Sequence, residues 1–196
     1  IRNPLAAISG SVELLVSAVG NDLSALAREL EKLASLAGDR AATAADVTAL
    51  VGVRRGETVH DLVEAALERR AARAAQLVEP VLDQAGMSGV KIVTPLGTHL
   101  VGTALARAER ERGGAPLEDT LFRHLLNTRP YGLRSYKDEA ARWARWSGLW
   151  TSPELSQAIR AALAADRALK GTTVTDDRGI VTQLVLGFAA TRREAA

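Results

Sequence analysis

The sequence predicts an all-α fold in two parts, a three-helix domain over residues 1–52 and a larger helical bundle over residues 53–196. Three observations carry this reading. Leu23, Leu26, Leu30, Leu33 and Leu36 recur at steps of three and four, a spacing that lines one stripe of a helix. Apolar residues make up 47% of the chain but aromatics only 4%, so Ala and Leu dominate, a composition that favours helix over strand. Gly52-Val-Arg-Arg-Gly56 breaks the helical pattern, and glycines flanking two arginines suit a linker.

Taken in order, Pro4–Val19 carries Leu5, Ile8, Val12, Leu15, Val16 and Val19 at helical period, with Gly10 inside and Gly20 at the end. The leucine-striped helix follows over Asn21–Arg40. Asn21 or Asp22 is placed to accept from its first-turn N–H groups, and Gly38 supplies a left-handed stop. Arg28, Glu29, Glu31 and Lys32 give it a wet side. Thr43–Val51 is the third helix, opened by a capping box of Thr43 with Asp46.

In the second part, Thr58–Arg70 turns Val59, Leu62, Val63, Ala66 and Leu67 inward, and Ala71–Gln84 does so with Ala74, Leu77, Val78, Val81 and Leu82. Pro80 is expected to kink or split the latter. Gly86–Gly89 is a turn. Over Val90–Glu111, Val90, Ile92 and Val93 suggest a short strand, but Pro95 argues against a central one. Leu96, Leu100, Val101, Leu105 and Ala108 are helical, so a helix begins before or after Pro95. Gly113–Pro116 is a loop, Leu117–Leu126 a short helix bearing Leu121, Phe122, Leu125 and Leu126, and Asn127–Arg134 a second loop. Ser135–Trp146 is a helix. Ser152 at the cap with Pro153 first inside opens another that runs to Lys170, with Leu155, Ile159, Ala162, Leu163 and Leu169 on one side. Asp166 interrupts that side and requires a polar partner or water there. Gly171 ends the helix. Thr175 or Asp176 opens the last one, with Ile180, Leu184, Val185 and Phe188 inward and Arg192 and Arg193 suited to the dipole of its final turn.

The 196 residues suffice for one or two small domains with a real core. The net charge of +2 lacks the basic excess of a dedicated nucleic-acid binder. Without cysteine there are no disulfides and no thiolate zinc sites, which fits a reducing compartment. No apolar run is long enough to cross a bilayer and no signal peptide is visible, so a cytoplasmic location is expected. The sequence starts at Ile1 and its sole methionine is Met87, so it is expected to be the C-terminal piece of a longer protein.

Candidate chemistry is sparse. His60, His99 and His124 are far apart, without second ligands at helical spacing, and read as partly exposed histidines rather than a metal site. Glu118-Asp119 and Asp176-Asp177 sit at helix starts, where capping explains them better than acid–base work. Neither a nucleophile elbow nor a phosphate loop occurs. Lys170-Gly171-Thr172-Thr173 has its Lys before its Gly at a helix end, so it is a stop. The clusters Arg54-Arg55, Arg69-Arg70-Arg73 and Arg107-Arg110-Arg112 read as solvated, mixed-charge faces, or as protein-interface arginines. The most distinctive feature is Trp143, Trp146 and Trp150 at i, i+3 and i+7, interleaved with Arg142 and Arg145. Bases could stack there with the arginines on phosphates, but three indoles on one helical side favour a core or an inter-subunit seam.

The succession Val19-Gly20-Asn21-Asp22-Leu23, Glu29-Leu30-Glu31-Lys32-Leu33, then Thr43-x-x-Asp46-Val47 resembles the delta subunit of the bacterial DNA polymerase III clamp loader. Ala165-Asp166-Arg167-Ala168-Leu169-Lys170-Gly171 resembles a helix near that family's C-terminus. The stretch Met87–Gly148 carries none of its motifs. The aromatic often found in its first collar helix is absent, with His60 the one substitute. The resemblance implies that residues 1–52 are the lid that follows an AAA+ core and that 53–196 are the collar, opened by Thr58–Arg70 and Ala71–Gln84. It implies assembly with other loader subunits, contact with the sliding clamp through a missing N-terminal domain, and only indirect contact with DNA. The delta subunit is not the ATP-hydrolysing member, so no catalysis, cofactor or metal is expected in this piece of the polymerase III holoenzyme. Trp143, Trp146, Trp150, Leu163, Asp166, Leu169 and Lys170 are the expected subunit-interface residues, with Arg142 and Arg145 as possible nucleic-acid contacts. The alternatives are a helical nucleic-acid-binding protein and the lid and accessory domain of another AAA+ ATPase.

Overall fold

A computed structural model describes residues 15, 23–38, 40, 42–51, 57–84, 86–113, 116–130, 133, 135–171 and 176–190. Among these, all regular structure is helical. The described helices are α1 (Leu23–Ala37), α2 (Ala44–Val51), α3 (Val59–Leu67), α4 (Ala71–Leu82), α5 (Gly89–Arg112), α6 (Leu117–Thr128), α7 (Tyr136–Trp146), α8 (Ser152–Gly171) and α9 (Asp177–Ala190). The expected helix over Pro4–Val19 (apart from Leu15), the Asn21 or Asp22 cap, the Gly52–Gly56 linker with Arg54 and Arg55, and Thr172, Thr173, Thr175, Arg192 and Arg193 lie outside the described residues.

α1 ends as its sequence dictates: Gly38 takes φ +60° and its N–H reaches the Ala34 carbonyl at 2.9 Å. Leu26 and Leu30 are half-buried and Leu33 and Ala37 buried, whereas Leu36 is exposed. The stripe therefore follows the step from 33 to 37, because Leu36 falls about 60° to one side at 100° per residue. Thr43 and Asp46 close the capping box on α2: the Thr43 N–H donates to Asp46 Oδ2 at 2.8 Å and the Asp46 N–H to Thr43 Oγ1 at 3.3 Å. Arg40 adds a bidentate pair to the same carboxylate, at 2.6 Å each. Its guanidinium and the Thr43 donors hold the Asp46 carboxyl far below the usual carboxylate range. Leu15, Leu33, Ala37, Ala42 and Val47 form one apolar cluster.

A separate, larger core runs from Leu62 to Phe188. α5 is its axle, packing against α3, α6, α7, α8 and α9. It starts at Gly89, capped by Ser88, and continues through Pro95 to Arg112, which settles the strand-or-helix question at Val90–Val93 in favour of helix. Pro80 does not split α4, which continues through it to Leu82. Gln84 closes that end, donating to the carbonyls of Glu57 at 2.5 Å and Pro80 at 3.2 Å. The helix after Trp150 is capped by Thr151 rather than by Ser152. Glu154 reaches back to the Thr151 N–H at 2.7 Å, and the Glu154 N–H contacts Thr151 Oγ1 at 3.4 Å. Asp176 caps α9 through the Gly179 N–H at 2.7 Å, and Asp177 accepts from the Gly89 N–H at 2.6 Å, tying the start of α9 to the start of α5.

Candidate subunit interface

The three tryptophans, expected at a seam between subunits, belong to the chain's own core, and so does Leu169. The correction has a simple cause: α7 packs its indole face onto α5, where Gly102 leaves room. A Cβ on Gly102 would stand 2.2 Å from the Trp143 ring. Trp143 donates from Nε1 to His99 Nδ1 at 3.0 Å, and the His99 ring meets Trp146 edge-on at 5.6 Å. The Trp146 Nε1–H has no hydrogen-bond partner among the described residues. Trp150 donates to the Leu67 carbonyl at 2.8 Å and stacks edge-on with Phe188 at 5.6 Å.

With the indoles interior, the stacking platform anticipated for nucleic acid does not exist on α7. Its two arginines are also engaged within the chain. Arg142 pairs with Glu139 at 2.6 Å, and Arg145 spans to Glu64 of α3 and to Glu68 at its C-terminal cap at 2.9 Å each. The other arginine clusters resolve in two ways. Arg107 and Arg112 make helix-surface pairs with Glu111 and Glu109, as expected of mixed-charge faces. Arg110 instead crosses to α7, donating to the Ala144 carbonyl at 2.6 Å and Ser147 Oγ at 3.1 Å.

Arg69 departs furthest from its expected solvated role. Its side chain is only 8% exposed and pairs with Glu154, itself 9% exposed. The guanidinium lies 3.6 Å from the centroid of the Trp150 ring and donates to the Phe188 carbonyl at 2.7 Å and the Leu149 carbonyl at 3.3 Å. One side chain thereby ties the α3–α4 corner to the α7–α8 corner and to α9. Burial pushes the Glu154 carboxyl up, but the two Thr151 donors and Arg69 together outweigh it and hold it below its ordinary value. No sequence spacing could pair residues 69 and 154, although Thr151-x-x-Glu154 is readable as a capping box.

His99 is buried, not partly exposed as the sequence suggested, whereas His60 and His124 are exposed. Its Nδ1 accepts from Trp143 while Glu139 Oε2 lies 3.5 Å away. The indole donor fixes the neutral ring with its proton on Nε2. Burial lowers the His99 pKa, the Glu139 carboxylate opposes this, and Arg142 and His60 add to the lowering. A depressed folded pKa means that the unfolded chain binds the proton more readily. The contribution of His99 to stability is therefore complete above the ordinary value of 6.5 and is lost as pH falls below it. Replacing His99 by Gln, which retains an acceptor for Trp143, is expected to flatten the fall in urea midpoint as pH drops below 6.5.

Of the expected interface residues, Leu163, Asp166 and Lys170 remain at the surface. Leu163 is 48% exposed. Asp166, which required a polar partner, has it one turn on in Lys170, at 2.7 Å. Among the described residues no cluster of three metal-ligating side chains occurs, and no helix is long and apolar enough to cross a membrane.

The arrangement of helices has a counterpart of known structure. The Bacillus subtilis DNA clamp loader delta protein (YqeN) superposes on 93% of this chain with a TM-score of 0.59, at 20% sequence identity. The fold is clamp-loader-like. This chain spans half the length of that protein. No family model and no curated protein sequence matches the chain.

Proposed function

We propose that this chain is the lid and collar of a delta-type clamp-loader subunit, divided at residues 52 and 53. The observation that carries the reading is the superposition on a clamp-loader delta protein over nearly the whole chain. The delta assignment is further supported by the lid motifs around Asn21–Val47 and by the two separate apolar clusters, one on each side of Gly52–Gly56. On this reading the chain makes and breaks no bond itself. It holds a cytoplasmic replication assembly together through helix–helix docking, so that the sliding clamp, gripped by a domain N-terminal to this piece, is opened and placed on DNA. The chain touches DNA at most indirectly, in keeping with a small net charge and indoles turned inward.

The test is reconstitution. Mixed with the remaining loader subunits from its own source, the chain is expected to co-elute with them in size-exclusion chromatography. It is expected to bind single- or double-stranded DNA no better than a neutral helical protein at 150 mM salt, a concentration of about physiological strength. A folded chain that elutes alone in the presence of every loader subunit would end the proposal.

A further inference from the structure

The outer surface of α8 and α9 holds an open apolar groove of about 430 Å³. Ala161, Ala164 and Ala168 of α8 and Leu184, Gly187 and Phe188 of α9 line it. The lining is small: no atom lies within 4 Å of where a Cβ on Gly187 would stand. A shallower depression along α9 shares Gly187 with the groove and extends the apolar surface to Leu186, which is 46% exposed. Small side chains of this kind let a helix backbone approach to the 8–10 Å or so typical of packed helices.

Two arginines flank the groove on its α8 side. Arg160 and Arg167 stand one turn to either side of Ala164 on α8, both exposed and without a hydrogen-bond or ion-pair partner among the described residues. The acids of α8 and α9 are already engaged. Glu154 holds Arg69, Asp166 holds Lys170, Asp176 caps the Gly179 N–H and Asp177 takes the Gly89 N–H. No carboxylate of these two helices pairs with either arginine, so the surface complementary to this edge of the groove is acidic.

We propose that this groove seats an amphipathic helix of a neighbouring loader subunit, its apolar stripe on the alanine floor and two acidic residues seven positions apart facing Arg160 and Arg167. Seven residues at 1.5 Å each separate those acids by about 10 Å, the same rise that separates the arginines. The inference rests on the loader reading above and names the chemistry of the partner. The alanine floor supplies the buried area, while the rim arginines set register and speed association.

Because the chain contains no cysteine, Ala164→Cys carries a single fluorescent label at the groove, and Val101→Cys places the same label on an exposed site of α5. With the purified loader subunits of its own source, the label at 164 is expected to shift to the blue and lose access to a soluble quencher, while the label at 101 does neither. Ala164→Trp is expected to weaken association by about thirty-fold or more, and the Arg160→Glu, Arg167→Glu double variant by about ten-fold with a flattened salt dependence. Thermal unfolding of the free variants checks that each is folded. If the label at 164 stays open to quencher in the complex and Ala164→Trp binds normally, the groove is not the seat, although the loader reading stands. Burial of the label as the chain alone is concentrated makes a second copy the occupant and overturns the acidic partner. If the wild-type chain joins no loader subunit, both inferences fall.

Discussion

Replacing Arg69 by alanine is expected to lower the unfolding free energy by about 3–5 kcal/mol, the cost of leaving one partner of a buried ion pair uncompensated. The Thr151 donors to Glu154 survive the change, which favours the lower end of that range. Arg69 also occupies an unusual backbone position. It sits at φ +65° just past the end of α3. Its N–H reaches the Ala66 carbonyl at 3.1 Å and the Arg70 N–H the Ala65 carbonyl at 2.8 Å, the paired closure in which glycine is the usual left-handed residue. A side chain in that conformation costs about 1–2 kcal/mol, so the contacts of the guanidinium must exceed it. Comparing two truncations separates these effects. Arg69→Gly loses the same contacts as Arg69→Ala but relieves the backbone, and should be more stable than the alanine variant by about 1 kcal/mol. Adding Glu154→Gln to Arg69→Ala removes the stranded charge and should recover part of the loss. Urea denaturation of the four proteins measures each quantity. Equal stabilities of the alanine and glycine variants would show that the left-handed position carries no strain.

The contrast between this corner and the helix ends shows where the sequence is readable. Gly38, Thr43 with Asp46, and Asp176 act within four residues of themselves, and their chemistry names their role. The helical periods also located the cores, except where a residue stood beside the stripe rather than on it, as with Leu36, Val101 and Leu163. What could not be read is what depends on contacts between distant segments. Arg69 belongs to an arginine cluster that follows Glu64 and Glu68, so a solvated, mixed-charge face is the economical expectation, yet Glu68 pairs with Arg70 and Arg69 turns inward to residue 154. The tryptophan stripe was legible as an apolar face, but not what covers it. α5 supplies the cover through a glycine more than forty residues earlier and a histidine whose neighbours in sequence are unremarkable. The proposed docking groove was invisible for the same reason: Ala161, Ala164 and Ala168 look like ordinary helix formers until α9 is laid alongside them.

Gly102 and Trp143 make the sharpest test of that long-range fit, because one substitution should change sign with its background. In an exposed helix Gly→Ala stabilises by about 1 kcal/mol. At Gly102 the added methyl would meet rigid indole atoms at 2.2–2.4 Å, and overpacking of a tight core costs about 1–3 kcal/mol, so Gly102→Ala is expected to destabilise. Trp143→Ala alone should cost about 3–5 kcal/mol, from lost burial and the cavity it leaves. It also strips His99 of its indole donor, but that loss is common to both Trp143→Ala proteins and cancels in a double-mutant cycle. With the indole gone the obstruction is gone, so Gly102→Ala in the Trp143→Ala background should stabilise, by up to about 1 kcal/mol. The resulting coupling of about 2–3 kcal/mol lies well outside the few tenths expected of independent sites. Denaturant midpoints and slopes for the four proteins give it directly. Additive effects would mean that α7 does not rest its indole on α5 at this glycine, and the interior position of the tryptophans would have to be given up.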